Sequence, residues 1–308
     1  MTERRKGEAV AVPVREGQTF VGESLLIRYV NFVKLPHTLF ALPFALLGAV
    51  VASRTHAVTW QTVALVVLAF TAARFVAMAI NRIADRALDA RNPRTRAREL
   101  PTGRITVGQA WIAVAVAALA FLAAAWALNP LCGWLAFPAL LWIAAYSYTK
   151  RVTHWSHAWL GLSLAIAPVG GYLAVAGVWS DPWWTLAAIT AAVTCWVAGF
   201  DIIYALQDED FDRAERLRSA VVWLGAGRSI LLTKVLHGVA ILLLLAFGAG
   251  ADLGAAYFAG VGVGAGLIAW EHRLVRPGDL SRLDAAFFRA NGLVSIVVFL
   301  GAMVDRIR

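Results

Sequence analysis

The chain has 308 residues, of which 60% are hydrophobic and only 15% are charged. This composition excludes an ordinary soluble domain and predicts a protein that lies within a lipid bilayer. The formal net charge of +9 is divided among several short segments rather than gathered on one soluble module, so it does not indicate a nucleic-acid partner.

The N-terminal residues are polar and basic, and they lack the continuous apolar core and small-residue cleavage site of a signal peptide. We interpret residues 1–24 as a mobile cytosolic tail and residues 25–308 as a single transmembrane domain. About nine apolar runs of roughly 18 to 27 residues follow, each long enough to cross a hydrocarbon core as a helix. They cover 25–52, 58–84, 107–128, 130–149, 156–178, 182–206, 229–249, 253–271 and 283–303. The predicted fold class is all-α: a polytopic membrane protein with about nine transmembrane helices in one bundle.

The links between the runs alternate between short, nearly uncharged segments and longer basic ones. The basic links are 82–104, 150–151, 207–228 and 273–282. All four fall on the side of the N-terminal tail, so the positive-inside rule places them in the cytosol and the C-terminus outside. We therefore predict a multi-pass protein of the inner (cytoplasmic) membrane of a prokaryote, with its N-terminus and active site on the cytosolic side.

Two acidic stretches lie where apolar runs end at this cytosolic face. The first acidic stripe consists of Asn81, Asp85 and Asp89 in NRIADRALD, and the second of Asp201, Tyr204, Asp208 and Asp212 in DIIYALQDEDFD. Steps of three, four and seven residues return side chains to roughly one face of a helix, so each stripe can direct its carboxylates the same way. Carboxylates packed this closely repel one another unless a cation or hydrogen-bond donors share the site. The stripes therefore predict one polar cavity lined with ligands for a divalent metal.

The two stripes also align as diverged copies, four helices apart. Asn81, Asp85 and Asp89 correspond to Tyr204, Asp208 and Asp212, and a basic loop and another apolar run follow each set. A binding site at the interface of internal repeats is a recurrent membrane architecture. We predict a weak internal repeat with the site between its halves.

The residue types at this face suit a diphosphate held through metal ions. Magnesium prefers oxygen ligands and often binds through a few carboxylates together with substrate phosphates. The arginine-rich loops would neutralise the remaining charge and stabilise the leaving group. A charged site at the membrane surface with an apolar bundle behind it implies a diphosphate head and a long hydrocarbon tail, which a polyprenyl diphosphate provides.

The sequence resembles the UbiA-type intramembrane aromatic prenyltransferases. The resemblance rests on the two acidic motifs, on YSYTKR at 146–151 and on RARELPTG at 96–103, and it extends over most of the chain. Within the family, KLPHTLFALPFALLG at 34–48 and NRIADRALDARNPRTRARELPTG at 81–103 are most similar to the menaquinone branch that runs through futalosine, with 4-hydroxybenzoate polyprenyltransferases next. The first motif departs from the family pattern at Arg82, where an aspartate is common.

The resemblance implies a role for each matching residue. Magnesium, in two ions that bridge the diphosphate, would be bound by Asn81, Asp85, Asp89, Asp201, Asp208 and Asp212. The diphosphate would contact Lys150, Arg94 and Arg98, with Asn81, Asp201 and Tyr204 also in the substrate site. The allylic cation or the aromatic acceptor would lie near Arg86, Tyr146 and Arg151.

The implied reaction is transfer of a polyprenyl group to an aromatic acid in quinone biosynthesis. Magnesium-assisted departure of diphosphate leaves an allylic cation, which tyrosine faces can stabilise and which the aromatic ring attacks. The acceptor is a dihydroxynaphthoate or 4-hydroxybenzoate, and its carboxylate calls for an arginine partner, for which Arg86 or Arg82 is available. The lone histidines His37, His154 and His157 are interpreted as packing or interfacial hydrogen-bonding residues rather than metal ligands.

Two other classes remain open from the residues alone. A secondary transporter of an anionic solute would also use many spans and an internal repeat, although its charges would lie nearer the middle of the membrane. Another magnesium-dependent lipid-head transferase would also cluster aspartates, but the glycine and alanine-arginine interleaving expected between its acids is absent here.

Overall fold

The computed structural model describes residues 20, 22, 24–34, 38–276, 279–283 and 289–307. In this part of the chain the regular structure is helical, and turns and loops join the helices. The helices are α1 (Leu25–Phe32), α2 (Thr38–Ala52), α3 (Trp60–Ala84), α4 (Arg86–Arg91), α5 (Val107–Leu128), α6 (Pro130–Thr149), α7 (Ser156–Ala176), α8 (Trp184–Ala205), α9 (Glu209–Ala214), α10 (Ala220–Gly250), α11 (Ala255–Leu274) and α12 (Asn291–Ile307). Within the described ranges the only β pairing is an isolated bridge between Arg276 and Asp279. The all-α prediction is confirmed.

Six helical segments are long and apolar enough to cross a membrane. They are α3, α5, α6, α7, the run Trp184–Ala214 that contains α8 and α9, and α10. Seven of the predicted runs each correspond to a single helix, and 107–128 and 130–149 coincide with α5 and α6. The prediction of nine transmembrane helices is not confirmed, since the described residues supply six.

The first predicted run, 25–52, is wrong as a single span. It contains two helices, α1 and the short apolar α2, because the chain turns at Val33 and Lys34. Lys34 adopts a left-handed backbone with φ 48°, and its N–H donates to the carbonyl of Asn31. Of the interpreted tail 1–24, all but Phe20, Gly22 and Ser24 lie outside the described residues, as does His37.

The last two predicted runs are also helical, but their helices are not among these six segments. The final residues of α11 include Glu271, His272 and Arg273, which lower its hydropathy, and the described part of α12 has only 17 residues. In α10, Gly225 has φ 74°, a left-handed conformation that suits glycine and kinks the helix near its start.

The packing core surrounds α8, which is the most buried of the six candidate spans. Its inner face, including Val193, Trp196 and Val197, packs with residues of α2, α7, α10, α11 and α12 in one apolar cluster. Helices α7 and α8 approach so closely that a Cβ atom on Gly161 would overlap the backbone oxygen of Thr194. Small residues at such crossings are typical of membrane helices. This contact fixes the first half of α7 against the middle of α8, about two turns before Asp201 of the second stripe.

A buried polar cluster ties α8 to α10, α11 and α12. The indole of Trp196 donates to Asn291 Oδ1 (3.0 Å), and Asn291 Nδ2 donates to Glu271 Oε1 (2.9 Å). His237 lies 2.9 Å from His272 through ring nitrogens, and its Nε2 lies 3.2 Å from the carbonyl of Trp196. Because polar groups without partners are costly inside a bundle, these bonds specify how the four helices pack.

Both acidic stripes contain the same kind of backbone turn. Asp85 has φ −92° and ψ 5°, and Asp208 has φ −105° and ψ 5°; each precedes a six-residue helix, α4 or α9. A long apolar helix comes before each turn, and another follows each short helix. The alignment of Asp85 with Asp208 therefore corresponds to a repeated backbone conformation, which supports the predicted internal repeat.

Candidate active site

The first acidic stripe begins where α3 ends. Asp85 is buried and lies between two cations: its carboxylate oxygens are 2.9 Å from Lys150 Nζ and 2.9 Å from Arg151 Nη2. The amide of Asn81, one turn earlier in α3, donates to the same carboxylate at 3.3 Å. The stripe is thus joined directly to the YSYTKR segment at the end of α6.

Asp89 lies one turn after Asp85, in α4, and is also buried. Its Oδ1 accepts from Arg98 Nη1 at 2.7 Å, while Oδ2 is 3.9 Å from Arg82 Nη1 and has no hydrogen-bond partner among the described residues. Arg82, at the position where the family commonly has an aspartate, also donates from Nε to the carbonyl of Phe32 at 3.4 Å. It therefore holds α1 against α3 and places a positive charge beside Asp89.

The loop after α4 connects the first stripe to the second. Arg94 donates to both carboxylate oxygens of Asp208, from Nε at 3.0 Å and from Nη2 at 2.5 Å. Asn92 Nδ2 donates to the same carboxylate at 3.2 Å. Arg94 also donates to the Tyr204 hydroxyl at 3.2 Å, with its guanidinium 5.5 Å from the ring centroid. The two stripes, more than 100 residues apart in the chain, therefore share one site.

The remaining acids of the second stripe lie around the same site. Asp201 Oδ2 is 2.6 Å from His157 Nδ1 at the start of α7. Asp212, in α9, is within electrostatic range of Lys150, Asp208, His157 and Arg94. The prediction that both stripes line one polar region agrees with these contacts.

Tyr146 lies between the two stripes. Its hydroxyl is within electrostatic range of Asp201, Asp85 and Arg74. Tyr148, two residues on, is exposed, and Arg151 lies 5.3 Å from its ring centroid. Arg86, in α4, is exposed.

Comparison with known proteins identifies the chain. The model of the UbiA prenyltransferase family matches residues 41–293. The chain belongs to the UbiA prenyltransferase family. The resemblance inferred from the two motifs is thereby confirmed.

Individual relatives agree with this assignment. A 4-hydroxybenzoate octaprenyltransferase of Pseudomonas syringae pv. syringae is 31% identical over 272 residues, covering 88% of this chain and 90% of that protein. The apo structure of a UbiA homolog from Aeropyrum pernix K1 has a TM-score of 0.80 at 31% identity and covers 87% of this chain and 98% of that one. A UbiA homolog from Archaeoglobus fulgidus bound to DMAPP and Mg²⁺ has a TM-score of 0.66 at 19% identity, covering 90% and 98% of the two chains, and this likeness shows the shared fold.

The donor atoms of this UbiA-family site fit magnesium. They are carboxylate and amide oxygens, the ligands that Mg²⁺ prefers, and Asp89 Oδ2 is a buried oxygen without a hydrogen bond. Within the described ranges no three acidic, histidine or cysteine side chains gather into a closed metal cluster. Such a distribution suits ions that complete their coordination with water and substrate phosphate rather than an all-protein cage.

Three residues of the site were not predicted as functional. Asn92 and His157 contact Asp208 and Asp201, and Arg74 approaches Tyr146. Arg74 could have been recognised, because an arginine inside an apolar run is costly and usually functional. His157 and Asn92 carry no such signal, since their partners lie 44 and 116 residues away.

Proposed function

We propose that this protein transfers a polyprenyl group from its diphosphate to an aromatic acid. The observation that carries the proposal is the pairing of three aspartates from both stripes with cations at one end of the bundle. Asp85 pairs with Lys150 and Arg151, Asp89 with Arg98, and Asp208 with Arg94. A magnesium diphosphate could bind by replacing these ion pairs. The carboxylates would then bind the metal, and the guanidinium and ammonium groups would bind phosphate oxygens.

Magnesium, when bound, neutralises the diphosphate and stabilises it as a leaving group. We propose two ions, one associated with each stripe: Asn81, Asp85 and Asp89 on one side, and Asp208 with Asp212 on the other. Asp201 contacts His157. We propose that Asp201 therefore lies at the edge of the metal site. Support for a divalent metal also comes from the Archaeoglobus fulgidus homolog, whose structure contains Mg²⁺.

The chain's own residues would then direct the prenyl group to the acceptor. Arg94, Arg98 and Lys150 would bind the departing diphosphate while Tyr146 and Tyr204 face the allylic cation. The electron pair of the carbon–oxygen bond leaves with diphosphate, and the ring carbon of the acceptor then forms a bond to the allylic cation. The proton on that ring carbon then passes to the released diphosphate, which restores aromaticity.

The acceptor's carboxylate would bind Arg74. This arginine lies in α3 seven residues before Asn81, about 10 Å deeper along the helix, and its buried Nε has no hydrogen-bond partner in the described part of the chain. Because a buried guanidinium favours a bidentate anionic partner, an aromatic acid suits this position better than a neutral phenol. Arg86 is exposed and Arg82 is bonded to Phe32, so Arg74 fits this role better than either residue considered from the sequence.

We propose 4-hydroxybenzoate as the first acceptor to test, because several relatives are named 4-hydroxybenzoate octaprenyltransferases. A dihydroxynaphthoate is the second, on the similarity of residues 34–48 to the menaquinone branch. Either acceptor would place the protein in quinone biosynthesis.

We further propose that α2, α11 and α12 complete a nine-crossing bundle in a prokaryotic inner membrane. The basic links at 82–104, 150–151, 207–228 and 273–282 would then all lie in the cytosol with the site. Reporter fusions test this topology: a C-terminal fusion should be active only as an extracytoplasmic reporter, and a cytosolic C-terminus would contradict it.

The function is tested with the purified chain in lipid nanodiscs, Mg²⁺, geranyl diphosphate and each of the two aromatic acids. We expect a product with the mass of the geranylated acid and one diphosphate released per product. The same incubation with EDTA should give none. Diphosphate release independent of both acids, or solute uptake by vesicles without any prenylated product, would contradict the proposal.

A further inference from the structure

His157 and Asp201 form a pair beside the other residues of the site. Their side chains are 8% and 20% exposed, and Nδ1 of His157 lies 2.6 Å from Oδ2 of Asp201. His157 is the second residue of α7, and Asp201 lies in the last turns of α8. The close crossing of these helices at Gly161, one turn after His157, keeps the two side chains in register.

The pairing determines which ring nitrogen of His157 carries the proton. An ionised carboxylate only accepts hydrogen bonds, so Nδ1 must donate to Asp201. In the neutral imidazole the other nitrogen, Nε2, then presents a lone pair and accepts a hydrogen bond. The role of Nε2 is thus set by Asp201, as a second partner sets the tautomer of many functional histidines.

His157 Nε2 receives no hydrogen bond from the described part of the chain. The atom is buried, and it has no hydrogen-bond partner among residues 20, 22, 24–34, 38–276, 279–283 and 289–307. Buried polar atoms in native proteins are nearly always paired, so an unpaired one beside a functional site points to a ligand group. That group must be a hydrogen-bond donor, because Nε2 is an acceptor.

The surroundings of the pair are those of the acceptor side of the site. Asp201 is within electrostatic range of Tyr146, which also lies near Arg74, and His157 is within range of Asp212. The pair therefore lies between the position we propose for the acceptor's carboxylate, at Arg74, and the metal-binding end of the second stripe. Of the polar groups on a hydroxylated aromatic acid, only the hydroxyl can donate to Nε2; its ionised carboxylate cannot.

We propose that His157 binds the ring hydroxyl of the aromatic acceptor through Nε2. This inference rests on the function proposed above and adds to it the residue that recognises the hydroxyl. Donation of the O–H to Nε2 increases electron density on the oxygen, and so on the ring carbon ortho to the hydroxyl. With Arg74 at the carboxylate and His157 at the hydroxyl, the ring would be fixed at two points, and that carbon would face the allylic cation.

The test compares two probes that differ only in the hydroxyl, 4-hydroxybenzoate and benzoate. Binding of each to the full chain in nanodiscs is measured calorimetrically with Mg²⁺ and an unreactive thiolo analogue of geranyl diphosphate. Wild type should bind 4-hydroxybenzoate about tenfold more tightly than benzoate, the effect of one ordinary hydrogen bond. In His157→Phe this ratio should fall to about one while benzoate binding stays as in wild type.

A second variant separates hydrogen bonding from packing. His157→Gln can donate its amide N–H to Asp201 and present its carbonyl oxygen as an acceptor, so it should recover part of the preference. A merely structural histidine would change the binding of both probes together and leave their ratio intact. An unchanged tenfold ratio in His157→Phe would overturn the inference alone, whereas failure of wild type to bind either acid would overturn the proposed function and this inference with it.

Discussion

The pair formed by Arg94 and Asp208 offers the sharpest test of the site. In Asp208→Asn the side chain keeps its size and one acceptor oxygen, but the second oxygen becomes an amide that faces the Arg94 guanidinium. The variant therefore loses a negative charge and one of the two charge-assisted bonds, at 3.0 and 2.5 Å, that join the stripes. Since both side chains are about one-fifth exposed, we expect the free energy of unfolding to fall by only about 1–2 kcal/mol.

The effect on turnover should be much larger. If Asp208 binds magnesium, its loss removes an electrostatic contribution to departure of the diphosphate. Loss of one such group typically lowers kcat by about 10²–10³ fold. The assay is magnesium-dependent release of diphosphate from geranyl diphosphate with 4-hydroxybenzoate in nanodiscs, with a thermal melt of the same preparation.

Asp210→Asn is the matched control, because Asp210 belongs to the same motif but is exposed. It should retain wild-type turnover and melting temperature. The metal-ligand role of Asp208 is refuted if Asp208→Asn keeps turnover within threefold of wild type, or if the Asp210 control loses as much.

Three further predictions address the acceptor and the bundle. Arg74→Gln should raise KM for 4-hydroxybenzoate about tenfold or more and leave KM for the prenyl donor unchanged in steady-state kinetics; equal changes in both would contradict a carboxylate contact. Gly161→Val should lower the free energy of unfolding by about 1–3 kcal/mol in denaturant titrations, because the added carbons overlap Thr194, whereas Gly170→Val, at a position with open space, should have little effect. Asn291→Leu should destabilise the bundle by about 1–3 kcal/mol, since Trp196 and the buried carboxylate of α11 each lose a hydrogen bond; unchanged melting would show that the polar cluster is not stabilising.

The apolar runs predicted most of the helices, and the best predictions have local causes. Thr106 and Gln109 form a capping box at the start of α5, and Asn129 caps α6, whose first residue is Pro130. These signals fix the first residue of both helices to within a few positions. The first run was wrong because hydropathy averages over a turn as short as that at Val33 and Lys34.

The acidic stripes were found from spacing, but their partners were not. Helical spacing singled out Asp85 and Asp89, although the backbone turns at Asp85 and places Asp89 in the separate short helix α4. That Arg94 reaches Asp208, or that His157 meets Asp201, depends on how loops and helices distant in the chain pack together, and one sequence holds no record of that packing. The sequence interpretation of His157, as a packing or interfacial hydrogen-bonding residue, treated the histidine alone and did not find its partner Asp201.

The hydrogen bonds from Trp196 through Asn291 to Glu271 also limit how the protein can move during its cycle. A one-residue slide of α8 along its axis, about 1.5 Å, would displace the Trp196 indole from its 3.0 Å hydrogen bond to Asn291. The polar cluster therefore opposes piston motion of α8 during substrate entry and product exit.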